Sequence, residues 1–260
     1  MPHLLNVWPR VSQLISGAPH VLLLSDYDGT LAPIAERPEL AVLPEHIRER
    51  LASMCASNRI TAGVVSGRCL FDLKEMVGIP GLIYAGNHGM EIEGPDLAYI
   101  HSHAEELRPV LDSLWHSLNA GLGNLAGVLV EGKGLTLSVH FRLTPQSLRR
   151  DVFRELDEAL EAFGRGDDLR VTRGKEVVEV RPRVDWDKGK AIKKIAESAP
   201  RGSLAMYFGD DLTDEDGFAA VHELDGMSIF VGPPRQPTRA LYRVDNPEEV
   251  ATVLDLISRL

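Results

Sequence analysis

The sequence predicts an α/β protein: a doubly wound, Rossmann-like parallel-sheet core interrupted by an inserted α+β module of order αββαββ. Three observations carry this reading. Val21 to Leu24 are four apolar residues in a row, the pattern of a strand covered by helices on both faces, and the run ends at Asp26-Tyr27-Asp28-Gly29. Apolar strand, short polar turn and amphipathic helix recur before residue 90 and again after Pro182, which predicts parallel strands joined by right-handed crossovers. Between them the periodicity changes. Leu135, Leu137, Val139 and Phe141 fall on one side of a segment whose other side is Thr136, Ser138, His140 and Arg142, as in an antiparallel strand with one packed and one wet face. The expected division is a core from 1–100 and 184–260 and an inserted domain from 101–183.

In order, a lead-in helix with Pro9 in its first turn stops at Gly17. After the first strand and a Pro-rich loop, Ile47, Leu51 and Met54 share a helical face. Strands are expected at Ile60–Val65, ending in Ser66-Gly67-Arg68, and at Leu82–Ala85, ending in Gly86-Asn87-His88-Gly89, with a helix near Phe71–Val77 between them. The insert reads as a helix from Glu105 to Leu118, strands at Gly127–Glu131 and Leu135–Arg142, a helix from Pro145 to Phe163, and strands at Leu169–Thr172 and Glu176–Val180. In the last strand Val178 and Val180 share a side, with Lys175, Glu179 and Arg181 opposite. The core resumes with a helix starting at Asp187-Lys188, which turns Ile192, Ile195 and Ala196 inward. An apolar strand, Leu204–Phe208, then stops at Gly209-Asp210-Asp211, and a helix from Thr213 carries Phe218, Ala219 and Val221 into the core. A strand at Ser228–Val231, a short Val244 segment and a closing helix from Pro247 complete the pattern.

A chain of 260 residues, 44% hydrophobic, can bury a sizeable core. Its net charge of -10 excludes general affinity for nucleic acid or anionic membrane, while leaving room for a local cationic pocket. Cys55 and Cys69 have no metal-type spacing and read as reduced thiols. With no membrane-length apolar run and no signal-peptide core, the expected location is the cytoplasm.

In an open α/β sheet, ligands bind beyond the carboxyl ends of the strands. Asp26 and Asp28, two apart, can present both carboxylates to one side there, for attack, cation binding or proton shuttling; Asp-Gly closing an acidic loop is the plainer alternative. Folding would gather them with Ser66, Lys188, Asp210, Asp211 and Asp214. So many carboxylates call for a hard divalent cation, Mg²⁺ above all, with Asp210 and an Asp26 oxygen as direct ligands and Asp211 and Asp214 as ligands or orienters. Lys188 would balance charge, and Ser66 with the N–H groups after Asp28 would hold phosphoryl oxygens.

These four segments, D26-Y-D-G-T-L, S66-G-R, D187-K-G-K-A and G209-D-D-L-T-D-E-D, resemble in order the motifs of the haloacid-dehalogenase-like phosphatases. E131-G-K-G-L-T-L-S-V-H-F-R and K175-E-V-V-E-V-R-P, with the last core motif, are similar to trehalose-6-phosphate phosphatases. The resemblance implies a Mg²⁺-dependent phosphatase in trehalose biosynthesis. Asp26 would be the nucleophile, Asp28 the acid and base, and Ser66 and Lys188 the phosphoryl clamp. The metal would sit on Asp26, the Asp28 carbonyl and Asp210, with Asp211 and Asp214 beside it. It also implies a mobile cap reading the sugar through Glu131, Lys133, His140 and Glu179, with Gly67, Arg68, Asn87 and His88 completing the substrate contacts. The implied partner is a small-molecule sugar phosphate, with a trehalose-6-phosphate synthase upstream.

Plainer readings stand beside these. Glu131 and Lys133 flank glycines and suit an ordinary charged hairpin turn, and His140 on a wet face suits mere solvation. Glu179, set among valines, calls for a partner. His101 and His103 lack further metal ligands and read as surface residues. Other substrates, such as sucrose phosphate or a glucosylglycerol phosphate, would share the core and differ in the cap. A non-catalytic sugar-phosphate sensor would have no need of both Asp28 and Lys188.

Overall fold

The computed structural model describes residues 1–163, 167–174, 176–233 and 237–260. The chain forms two compact units, Met1–Tyr99 with Trp186–Leu260, and Ile100–Asp185. At the centre of the first lies β1 (His20–Ser25), buried at every residue. On one side follow β2 (Ile60–Val65) and β3 (Ile83–Gly86), and on the other β10 (Ser203–Gly209), β11 (Met227–Val231) and β12 (Tyr242–Val244), all parallel. The order of strand addition therefore reverses between β1 and β10, the place where an open α/β sheet leaves a crevice.

Alternate residues of β1 feed two cores. Val21 and Leu23 pack with Ile47 and Leu51 of α2 (Glu45–Cys55), Leu73 of α3 (Leu70–Val77), Val11 of α1 (Trp8–Gly17) and Leu254 of α9 (Pro247–Ser258). Leu22 and Leu24 pack with Ile192 and Ile195 of α7 (Lys188–Ser198) and Phe218 and Val221 of α8 (Glu215–Glu223). Each such side chain contributes about 1.5–3 kcal/mol on burial, and together they hold the end of β1 rigid. Ala219 is only partly buried, its neighbour Ala220 taking the inward place. The sheet continues past β3 into β4 (Glu91–Gly94), which is antiparallel to it, and β5 (Leu97–Ile100). Neither strand was expected, because four-residue segments such as Glu-Ile-Glu-Gly are too short and acidic to show strand periodicity.

In the second unit β6 (Leu129–Gly132), β7 (Leu137–His140), β9 (Val177–Pro182) and β8 (Leu169–Arg173) form an antiparallel sheet in that spatial order. Leu111, Leu114 and Leu118 of α5 (Arg108–Leu122) and Val152 and Leu156 of α6 (Arg149–Ala162) share one core with Leu137, Val139, Val178 and Val180. A short α4 (Ser102–Glu106) precedes α5. The other face departs from expectation: Thr136 and Ser138 are 1% and 2% exposed rather than wet, and the face opens only toward His140 and Arg142. Ser138 is paired in register with Glu131 on one side and Glu179 on the other, and long carboxylate side chains overtop a serine between them. Lys175, grouped above with Glu179 and Arg181, lies outside the described residues.

Candidate active site

The Asp26 N–H donates to the Phe208 carbonyl at 2.8 Å, extending the parallel ladder one residue beyond β1. Tyr27 is fully buried on the opposite side, its hydroxyl donating to the Ala41 carbonyl at 2.7 Å, so alternation leaves Asp26 and Asp28 on a common side. Gly29 turns the chain at φ +83°, and a Cβ there would lie 2.2 Å from Asp210 Oδ2. Glycine is thus required both by the left-handed backbone and by the approach of the β10 end.

Lys188, the first residue of α7, is placed by an Asp187 cap that accepts from the Lys190 N–H at 2.9 Å. Its buried Nζ donates to Asp26 Oδ1 and Asp214 Oδ1, both at 2.7 Å. Asp214 is wholly buried and accepts four times: from Lys188 and from the Tyr207 hydroxyl (2.6 Å) on Oδ1, and from the N–H groups of Asp210 and Asp211 (3.0 Å each) on Oδ2. Those bonds use a carboxylate's accepting capacity, so Asp214 orients the site. Burial pushes the Asp26 carboxyl well up, Lys188 opposes this, and Asp214 and Asp210 add to it. Burial and the nearby Asp214 likewise push Asp210 up to about 7. Burial acts to lower the Lys188 ammonium, but Asp214 and Asp26 outweigh it and hold the group above its ordinary value.

Ser66 is buried after β2 and its Oγ accepts from the Arg68 N–H at 3.2 Å. The turn after β3 is bonded to this one, Asn87 N–H to the Arg68 carbonyl (2.6 Å) and His88 N–H to the Ser66 carbonyl (2.8 Å). Asn87 and His88 both take positive φ, 51° and 57°, a strained pair of the kind found beside functional sites. The His88 ring lies so close to Gly67 that a Cβ there would meet it at 2.8 Å. Asn87 is fully buried and donates to Glu91 Oε2 at 2.6 Å. Arg68 grips Asp28 through two bonds of 2.7 Å.

Glu131, Lys133 and His140 come together in the second unit, with Glu179 two strands from Glu131 on its sheet. Glu131, Ser138, Glu179 and Thr172 are register partners across its four strands. Glu131 Oε2 lies 3.0 Å from His140 Nε2 and 3.6 Å from Lys133 Nζ, so these three side chains of the expected hairpin and wet face interact.

The acids fit a divalent cation. One oxygen each of Asp26, Asp210 and Asp214 lies within 4.8 Å of the others, and two buried carboxylates and a half-buried one around a single ammonium leave negative charge to neutralise. With Asp214 saturated, Asp26 and Asp210 are the available pair. Asp211 is an exposed cap, its carboxylate accepting from the Leu212 N–H at 2.6 Å; it stands outside the group of three. Sequence reasoning missed Tyr207 and Thr30, whose hydroxyl donates to Asp210 Oδ1 at 3.4 Å. A tyrosine in a fully covered strand needs a polar partner, the one signal that Tyr207 gave.

Solved structures share this architecture. The C-terminal domain of the C. albicans trehalose-6-phosphate phosphatase matches with a TM-score of 0.78 at 22% identity, covering 100% of this chain and 98% of that one. A haloacid dehalogenase-like hydrolase from Bacteroides thetaiotaomicron matches at 0.61 and 18% identity, covering 92% and 99%. The fold is the one these structures share. Sequence narrows this further, since the family model for trehalose-phosphatase matches residues 24–248. A trehalose-phosphate phosphatase of Mycobacterium avium is 38% identical over 94% of this chain and 65% of its own length, and trehalose 6-phosphate phosphatase RA3 of Zea mays is 34% identical over 90% and 68%. The chain belongs to the trehalose-phosphatase family. None of its helices, among the described residues, is long and apolar enough to cross a membrane.

Proposed function

We propose that the protein hydrolyses trehalose 6-phosphate to trehalose and phosphate in two steps. In the first, an Asp26 oxygen forms a bond to phosphorus as the phosphorus–sugar oxygen bond breaks, and Asp28 gives its proton to the departing oxygen. In the second, Asp28 takes a proton from water, whose oxygen bonds to phosphorus as the phosphorus–Asp26 oxygen bond breaks, releasing phosphate and restoring the Asp26 carboxylate. The observation that carries this reading is the buried Lys188 held between Asp26 and Asp214 at 2.7 Å to each: it fixes the nucleophile through Oδ1 and leaves Oδ2 for attack. Ser66 would hold a phosphoryl oxygen; the N–H groups following Asp28, expected to join it, are taken within the turn, Gly29 by the Ala32 carbonyl at 2.7 Å and Leu31 by the Tyr27 carbonyl at 2.9 Å.

Asp26 and Asp210, with the Asp28 carbonyl, would hold Mg²⁺, which when bound supplies the charge that lets one anion approach another. The second unit acts as the cap, with Glu131, Lys133, His140 and Glu179 bonding sugar hydroxyls; the wild-type Glu131–Lys133–His140 contact keeps that acid oriented. The substrate is the product of a trehalose-6-phosphate synthase. A phosphate-release panel across trehalose, sucrose and glucosylglycerol phosphates, with Mg²⁺ and with chelator, tests the proposal. Release from trehalose 6-phosphate above the others, and only with the metal, is the expected result; an even response across sugars would remove the substrate assignment.

A further inference from the structure

The resemblance places Arg68 at the substrate, but the structure gives its guanidinium another task. Nε and Nη2 donate to Asp28 Oδ2 and Oδ1 at 2.7 Å each. Nη2 also donates to the Pro38 carbonyl at 2.8 Å, Nη1 lies 3.2 Å from Met76 Sδ, and the group sits 5.3 Å over the Tyr27 ring centroid. The arginine side chain is 12% exposed and the aspartate 40%. Arg68 is therefore the fixed member of the pair and Asp28 the reachable one. A guanidinium pinned on its other sides sets the plane of the carboxyl it holds, which a lysine's single ammonium cannot do.

We infer that Arg68 is a positioning residue that orients Asp28 for its proton transfers and does not itself contact the substrate. This rests on Asp28 being the acid and base of the reaction. Misplacing such a group by about 1 Å costs up to about 100-fold in rate, so the effect should fall on turnover and grow with the difficulty of the leaving group.

The test compares Arg68→Ala, Arg68→Lys, Asp28→Asn and the Arg68→Ala/Asp28→Asn double variant, each with Mg²⁺, on trehalose 6-phosphate and on p-nitrophenyl phosphate. On the sugar phosphate, Arg68→Ala should lower kcat at least about tenfold with KM within about threefold, and Arg68→Lys should fail to rescue it. On p-nitrophenyl phosphate, whose leaving group needs little protonation, the first-turnover loss should shrink to within about threefold, followed by slow release of phosphate. Adding Arg68→Ala to Asp28→Asn should cost nothing further. A raised KM at unchanged kcat, equal first-turnover losses on both substrates, or an additive loss in the double variant would each overturn the inference. Full turnover by Asp28→Asn would instead overturn the acid–base reading beneath it.

Discussion

Two clusters of charge, one in each unit, are built on opposite principles. Around Lys188 the groups are buried: Lys188, Asp26 and Asp214 are each less than a tenth exposed, and Asp214 has no accepting capacity left. Around Glu131 they are partly buried, with side-chain accessibilities of 24% for Glu131, 26% for His140 and 12% for Lys133. In the first cluster each charge depends on its partners, because a buried ion left alone costs several kcal/mol. In the second, water screens what is lost. The comparison teaches where rigidity and adaptability reside. On the proposed reading, the nucleophile is held without slack, and the groups that would meet the sugar are left partly open to water.

The largest effect expected in either cluster is that of Asp26→Asn. It should abolish phosphate release, by at least roughly 1,000-fold, while circular dichroism stays that of the folded wild type. Appreciable release, with contaminating wild type excluded, would take the nucleophile role from Asp26. Next comes Lys188→Met, which strands Asp26 and Asp214 without a cation. Denaturant unfolding in the presence of chelator should show a loss of roughly 3–5 kcal/mol. A loss below about 1 kcal/mol would mean the carboxylates separate freely, erasing the contrast between the clusters. In the cap, Glu179→Ala should lower kcat/KM on trehalose 6-phosphate by about 10- to 100-fold, the worth of a bond to a charged group, and spare p-nitrophenyl phosphate. Equal losses on both would show that Glu179 does not read the sugar.

The same division governs what could be read from the sequence. Asp26, Asp210 and Lys188 were legible because strand ends and a capped helix start are local patterns, and a doubly wound sheet has only one rim on which to collect them. Tyr207 was illegible as a site residue, since Leu-Ala-Met-Tyr-Phe reads as plain core until Asp214 is brought under its hydroxyl. Asp28 and Arg68 stand 40 positions apart, and nothing local says that the arginine turns to the aspartate. For β4 and β5 the elements themselves are too short for periodicity to register. In the cap, alternation identified the polar side of β7, yet Ser138 was read as wet because register, and hence its flanking glutamates, is a property of pairing.

The smallest expected effects give the finest measure of the contrast. Tyr207→Phe removes one of four donors from Asp214 and leaves the volume unchanged, while His140→Ala removes one of the contacts to Glu131. If burial sets the worth of a hydrogen bond, Tyr207→Phe should cost about 1–2 kcal/mol, lowering the melting temperature by about 2–4 °C for a chain of this size. His140→Ala should cost less than about 1 kcal/mol. Adding 0.5 M NaCl should leave the Tyr207 effect as it was, because salt does not screen a buried hydrogen bond. Equal costs would mean that Glu131 is tied as firmly as Asp214, and the cap would then be as preformed as the core.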